Sequence, residues 1–320
     1  MKRFYGIRTF AMLLFPLIAV EMVSAAPVDP KLLSLVPPGT QLVAGVSYQT
    51  PTGHLESLLV MGPDNLLDRC DFISLAGVDD SKVIRQMIFA DGGSAPSTLG
   101  EHSILVSGRF DQTRIFKAAV SNGATVTEFR GFRVLVQQPF ERELGTFKDV
   151  RWLVVIDSKM ALFGTRFSIQ QELDRYLDGS AVDPVLMQKV SRLRPDDATW
   201  SVVLGVFNAD DELEQVFRSL DPALANLIHD RKPFQFGIRY GRKVEVEYEV
   251  SLPSGASAQS ISNFSAQSLV AGHRTGSSLL PGLDLTADSA PVHGVLKVTT
   301  KHYEEWLDEC ARTAVSKSGN

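Results

Sequence analysis

Ile104–Val120 reads ILVSGRFDQTRIFKAAV, and how this stretch is understood decides the fold. A short apolar strand runs to Gly108, an aromatic stands at Phe110, and Asp111 precedes an amphipathic segment. Asp111 is placed to accept hydrogen bonds from the first free amides of a helix. On that helix Ile115, Phe116, Ala119 and Val120 share a face, and Asn122-Gly123 supplies a left-handed stop. The same order recurs at Leu42–Tyr48 (LVAGVSY) and Val203–Asn208 (VLGVFN). It recurs without the glycine where Val295–Val298 leads to Tyr303–Leu307. Repetition of a strand-into-helix unit describes scaffold, not chemistry. Glycine inside a strand marks a bulge or the close approach of another backbone. At Gly45, Gly108 and Gly205 the plain reading is helix-to-sheet packing, and the sharper one is backbone left open to a ligand.

Upstream of this unit, Pro27–Thr40 is a proline-rich lead-in that Pro37-Pro38-Gly39 closes. Gln41–Gln49 follows as a strand, then a helix carrying Leu55, Leu58, Leu59, Leu66 and Leu67, then a strand over Val83–Ala90. Downstream, Thr125–Gln137 predicts a hairpin turning at Arg130-Gly131. Trp152–Ile156 and Met160–Gly164 predict a second hairpin. Helices are expected over Phe167–Leu177 and Val185–Leu193, and Arg194-Pro195-Asp196-Asp197 ends the first half.

The second half repeats the plan with a strand over Trp200–Phe207 and a helix capped by Asp210. Phe234, Phe236 and Ile238 alternate with polar residues, as do Val244, Val246, Tyr248 and Val250 with Glu245, Glu247 and Glu249. A one-residue slip would invert such a strand. Pairing Ile238 with Val244 therefore demands an odd loop, Tyr240-Gly241-Arg242. Ser257–Val270 reads as a helix. Gly272–Pro291 is a long connection without regular structure, holding Leu279, Leu280, Leu283 and Leu285, and such connections are often functional.

These spacings define an α+β fold. Antiparallel sheets carry helices packed on one face, in two loosely duplicated halves with split-βαβ, ferredoxin-like character. The divisions are a signal peptide over 1–25, an N-terminal half over 26–195, a C-terminal half over 196–315, and a frayed tail over 316–320.

Lys2, Arg3 and Arg8 precede the apolar run Phe10–Val20, and Val23-Ser24-Ala25 offers small residues for a signal peptidase. The apolar run is short for a bilayer span, although retention as an anchor is the alternative to cleavage. The formal charge is -5. Removing three basic residues and one acidic one leaves 29 against 36, or about -7. An acidic surface without a basic stripe argues against nucleic acid and anionic membranes as partners. The cysteines, Cys70 and Cys310, would tie the ends of the fold together if bridged in an oxidising compartment. Two buried free thiols are the other reading.

Reactive constellations are missing. The sequence has no nucleophile elbow, H-E-x-x-H, C-x-x-C or phosphate-binding loop, and it calls for no cofactor and no metal. Its histidines, His54, His102, His229, His273, His293 and His302, fall mainly at element ends. Of these, His273 and His293 flank the leucine-bearing connection and could meet across its base. Paired acids at Asp79-Asp80, Asp196-Asp197 and Asp210-Asp211 are explained by capping. Glu245, Glu247 and Glu249 lie on one strand face, about 7 Å apart. They form either a solvated face partly balanced by Arg239 and Lys243, a calcium site, or a docking surface for a basic partner.

Leu35–Gly45, LVPPGTQLVAG, resembles the start of a group of uncharacterised secreted bacterial proteins. In those, a proline-marked turn and an apolar strand ending in Ala-Gly follow the signal peptide. The resemblance runs through the strand at Ile104 and the hairpin at Trp152, to residue 180. It implies an exported α+β protein and brings no catalytic residues.

The chain is therefore expected to be exported, periplasmic or secreted, and more an interaction protein than an enzyme, with a protein or envelope component as its partner. The candidate binding residues are Leu279, Leu280, Leu283, His273, His293, Glu245, Glu247 and Glu249. The alternatives are a carrier of a small apolar ligand with 272–291 as a flap, and a hydrolase whose site is assembled from distant residues.

Overall fold

The structure is a computed structural model that describes residues 28–48, 83–92, 102–137, 141–142, 145–146, 150–204, 234–250, 284–286 and 292–305. A six-residue helix, α1 (Pro30–Leu35), precedes β1 (Leu42–Ser47). Then come β2 (Ile84–Asp91), β3 (His102–Gly108), α2 (Gln112–Ser121), β4 (Thr125–Phe129) and β5 (Phe132–Gln137). Two short strands, β6 (Glu141–Arg142) and β7 (Gly145–Thr146), pair with each other. They precede β8 (Arg151–Asp157), β9 (Met160–Thr165), α3 (Arg166–Asp178) and α4 (Pro184–Val190). The second half contributes β10 (Thr199–Val203), β11 (Phe234–Tyr240), β12 (Val244–Val250), β13 (Asp284–Thr286) and β14 (Val292–Val298). A helical stretch over 300–305 ends the described chain.

Among the described residues, 12 strands form one sheet in the order β13-β14-β12-β11-β10-β1-β2-β3-β9-β8-β5-β4, and every neighbouring pair is antiparallel. The two halves meet where β1 pairs with β10, Val43 opposite Val202 and Gly45 opposite Trp200. Outward from this seam the orders match: β1, β2, β3, β9, β8 on one side and β10, β11, β12, β14, β13 on the other. β9 runs into α3 as β14 runs towards 300–305. The first half then adds β5 and β4, and β4 is an exposed edge. The sheet is larger than a ferredoxin-like split-βαβ unit and does not reproduce its order. β1 and β2, which bracket residues 49–83, are direct neighbours with no strand between them.

The expectation of helices on one face is overturned. Register places Val43, Ala90, Ser103, Gly164, Trp152 and Val136 in one row on the first face. Ala44, Phe89, Ile104, Phe163, Leu153 and Leu135 form the adjacent row on the second face. Every residue of both rows is buried, so both faces need covers. The first face takes Leu32, Leu33 and Leu35 of α1, Ile169 and Leu173 of α3, and Leu186 and Val190 of α4. The second face takes α2, whose Phe116 ring lies 4.3 Å from the Arg133 guanidinium carbon of β5. It also takes Tyr303, whose ring centroid lies 5.9 Å from that of Tyr240. Strands buried on both faces read as unbroken apolar runs, as LVV in β8 and MIFA in β2 do.

Local signals explain most boundaries. The side chain of Asp111 accepts from Arg114 N at 3.0 Å and caps α2. Arg130 and Gly131, with φ of 49° and 85°, turn the β4–β5 hairpin. Helix α1 lies within the proline-rich lead-in, where no helix was expected. Asp29 accepts from Lys31 N at 2.9 Å and Pro30 stands in its first turn, a start signal followed by Leu32, Leu33 and Leu35. The hairpin β11–β12 keeps the odd loop, 241–243, and so the predicted faces. Its register is two residues away from the expectation, with Tyr240 opposite Val244 and Ile238 opposite Val246. The strand glycines also differ from expectation. A methyl group on Gly45 would lie 2.4 Å from the Trp200 indole, and one on Gly108 would lie 2.2 Å from the Val83 carbonyl oxygen. What these glycines admit is the neighbouring strand's indole and a backbone carbonyl, not a helix. Gly205 lies outside the described residues.

Candidate functional site

The first face changes character across the seam. The row through Val43 and Val202 continues into Gln235, Glu249 and His293, and the row through Gly45 and Trp200 continues into Gly237, Glu247 and Val295. The next row is Arg239, Glu245 and Lys297. Here the face carries charges where the first half carries leucine and valine.

Helix α4 brings the other side of the site. Asp183 caps it by accepting from Val185 N and Leu186 N at 2.8 and 3.0 Å. Burial of Leu186, Val190 and Leu193 then lays residues 192–197 along the sheet. Asp197 Oδ2 accepts from Arg194 N at 2.9 Å and holds the turn before β10. Its carboxylate rests directly on Gly237, where a methyl group would lie 2.1 Å from Oδ2. Any larger residue at 237 would expel Asp197.

Arg239 lies at the centre, its side chain only 8% exposed. Its Nη2 and Nε donate to Glu245 Oε2 at 2.7 and 3.1 Å, and its Nη1 donates to Glu247 Oε2 at 2.7 Å. Arg194 Nε approaches the same Glu247 oxygen at 2.7 Å, and His293 Nε2 meets Glu247 Oε1 at 2.7 Å. Lys297 Nζ lies 2.9 Å from Glu245 Oε1, and Arg192 Nη1 lies 2.9 Å from Glu249 Oε1. Hydrogen bonds from Lys297 and Arg239 hold the Glu245 carboxyl below its ordinary range. Burial pushes the Glu247 carboxyl up, but hydrogen bonds from Arg239 and His293 outweigh it, and the net direction is down. Burial pushes Asp197 up to about 6, against the backbone bond from Arg194 and the charge of Arg239. A small cleft lies between 192–197 and the sheet, lined by Arg192, Arg194, Asp197, Gln235, Glu247 and His293 among others.

The three glutamates thus share a face as their alternation requires, and His293 joins them. His293 meets Glu247, while His273 lies outside the described residues, as do Leu279, Leu280, Leu283, Cys70 and Cys310. Part of the supposedly irregular 272–291 is a strand, for Asp284–Thr286 pairs with β14. The glutamates are half-buried and matched by Arg192, Arg194, Arg239, His293 and Lys297, with Lys243 outside the network, in the 241–243 turn. Among the described residues no group of histidine, cysteine and carboxylate side chains is arranged to hold a metal ion. Sequence reasoning gave Asp197 a capping role only, and it missed Gln235, Arg192 and Arg194. Gln235 carried a signal, since an amide alternates into the same strand face as Arg239.

A second buried acid lies on the first face of the first half. Ser103 Oγ donates to Glu172 Oε1, and Glu172 Oε2 has no hydrogen-bond partner. Burial pushes this carboxyl up to about 8, so it is largely a neutral acid at pH 7.

A scan of protein-family models finds no match, and neither does a search of curated proteins. Among solved structures the chain is similar to one described as "Structure of crystal form I of TP0453". The identity is 9% and the TM-score 0.47, covering 88% of this chain and 98% of that one. A likeness at that level bears on neither ancestry nor activity. No helix among the described residues is long and apolar enough to cross a membrane.

Proposed function

We propose that this chain is an exported, non-enzymatic binding protein that engages a protein or envelope component through the first face of β11, β12 and β14. One observation carries the reading: a sheet face that is apolar and helix-covered in the first half becomes a half-buried array of matched charges in the second. Burying ion pairs costs desolvation that their attraction barely offsets. Their return lies in orientation and partner choice. Among the described residues that line the cleft there is no serine, threonine or cysteine, the usual nucleophiles for a pair such as His293–Glu247 to activate. That favours binding over hydrolysis. Export is supported by the basic and apolar N-terminus and by the resemblance of Leu35–Gly45 to secreted bacterial proteins.

The test is recovery of partners from envelope extract by the chain lacking residues 1–25. The double variant Arg192→Glu/Arg194→Glu is expected to lose partners that the wild type recovers. A variant lacking residues 276–288 is expected to keep them. Identical recovery by the wild type and the double variant would refute the assignment of this face.

A further inference from the structure

We propose that the cleft between residues 192–197 and β11 receives the primary ammonium group of a lysine side chain on a partner protein. The inference rests on the reading of this face as the binding surface and specifies what the cleft recognises.

Two residues lining the cleft each carry a buried acceptor that lacks a donor. Gln235 Oε1 has no hydrogen-bond partner, and Gln235 is 5% exposed. Asp197 Oδ1 has none either, and Asp197 is likewise 5% exposed. The nearest cation to Asp197 Oδ1 is Arg239 Nη1 at 3.6 Å, too far for a hydrogen bond. Orphaned buried acceptors are costly and uncommon in native proteins, and two in one cleft call for a donor. The lining contains the carboxylates of Asp197, Glu247 and Glu249 with the guanidinium groups of Arg192 and Arg194 and the imidazole of His293; Glu247 and Glu249 are met by ion pairs, whereas Asp197 Oδ1 is not. Both arginines are already engaged, with Glu249 and Glu247.

The Asp197 carboxylate rests on Gly237, and Gln235 projects from the same strand face two residues away. The two orphan oxygens belong to separate side chains, not to one planar carboxylate. A compact ammonium with three rotatable donors and no acceptor fits that arrangement, whereas the fixed fork of a guanidinium does not.

The probe is Nα-acetyl-lysine amide, titrated into the chain lacking residues 1–25, with the Gln235 side-chain amide followed by NMR. A saturable shift is expected. It should be absent with the norleucine and Nε-acetyl-lysine counterparts, and weaker with Nα-acetyl-arginine amide. Asp197→Asn should weaken the affinity at least about tenfold, as loss of a charge-assisted bond does. Gln235→Met, which keeps volume and removes both polar groups, is the second variant should Asp197→Asn fail to fold. No saturable shift, or equal shifts from the lysine and norleucine probes, would overturn the inference. If the lysine probe fails while Arg192→Glu/Arg194→Glu still loses its partners, the ammonium assignment falls and the binding surface stands. If that double variant retains its partners, the surface itself is wrong.

Discussion

The same face of the same sheet is solved in two ways on the two sides of the β1–β10 seam. In the first half Ile88, Leu105, Leu162, Val154 and Val134 lie in one row beneath a helical layer. In the second half the continuation of that row is Trp200, Gly237 and Glu247. Leucine and valine gain from leaving water, at about 25 cal/mol per Å² of apolar surface. Glutamate and arginine lose hydration and recover it only through each other. The first arrangement holds the fold together. The second costs about as much as it returns, and a costly, specific surface is the one to expect where recognition occurs.

This contrast can be broken at its centre. Arg239→Met removes the cation that Glu245, Glu247 and Asp197 share, and should destabilise the protein by about 3–5 kcal/mol in denaturant unfolding. The triple variant that also carries Glu245→Met and Glu247→Met should recover much of that loss. If it does not, the array is a source of stability and the comparison fails. On the apolar side, Leu162→Ala should cost about 2–5 kcal/mol by leaving a cavity, with no rescue by neighbouring changes.

Titration sharpens the comparison, because Glu172 on one side and Glu245 and Glu247 on the other respond in opposite directions. Glu172 has its folded value raised to about 8, so its favourable contribution is full below the ordinary glutamate range. It is lost as pH rises through about 8. Glu172→Gln should therefore raise the melting temperature at pH 9 and change it little at pH 4, measured by thermal melts across that range. Glu245 and Glu247 are held low, so what they contribute is present above the ordinary glutamate value and lost as pH falls through their depressed values. Asp197, raised to about 6, works against them, its contribution fading as pH rises from about 4 through 6. The smallest effect is expected at the rim. Lys297 is 54% exposed, and Lys297→Ala should cost no more than about 1 kcal/mol.

Much of the scaffold was legible. The cap at Asp111, the turn at Arg130-Gly131 and the alternation of β11 and β12 are local, and each acts through neighbours a few residues away. The faces of Glu245, Glu247 and Glu249 followed from period two alone. The site was legible only in part. His293 and the glutamates carry the right chemistry, but Arg192, Arg194 and Asp197 reach them only because Leu186, Val190 and Leu193 dock 192–197 against the sheet. Helix α1 was less legible, since its start signal at Asp29-Pro30 opens only six residues before the helix-blocking Pro37-Pro38-Gly39 follows.

Taken alone, the amino-acid sequence determined most of the strands and helices among the described residues, which side chains of β11 and β12 share a strand face, and that the chain mixes helices with antiparallel strands. It could do so because hydrophobic period, capping and turn chemistry are short-range. Tertiary structure alone decided that the halves join through β1 and β10 into one sheet, and that helices cover both of its faces. It also decided that Asp197 lies on Gly237 beside an unpaired Gln235 oxygen. Those outcomes depend on which distant surfaces exclude water together, and on where a missing side chain lets another chain segment approach.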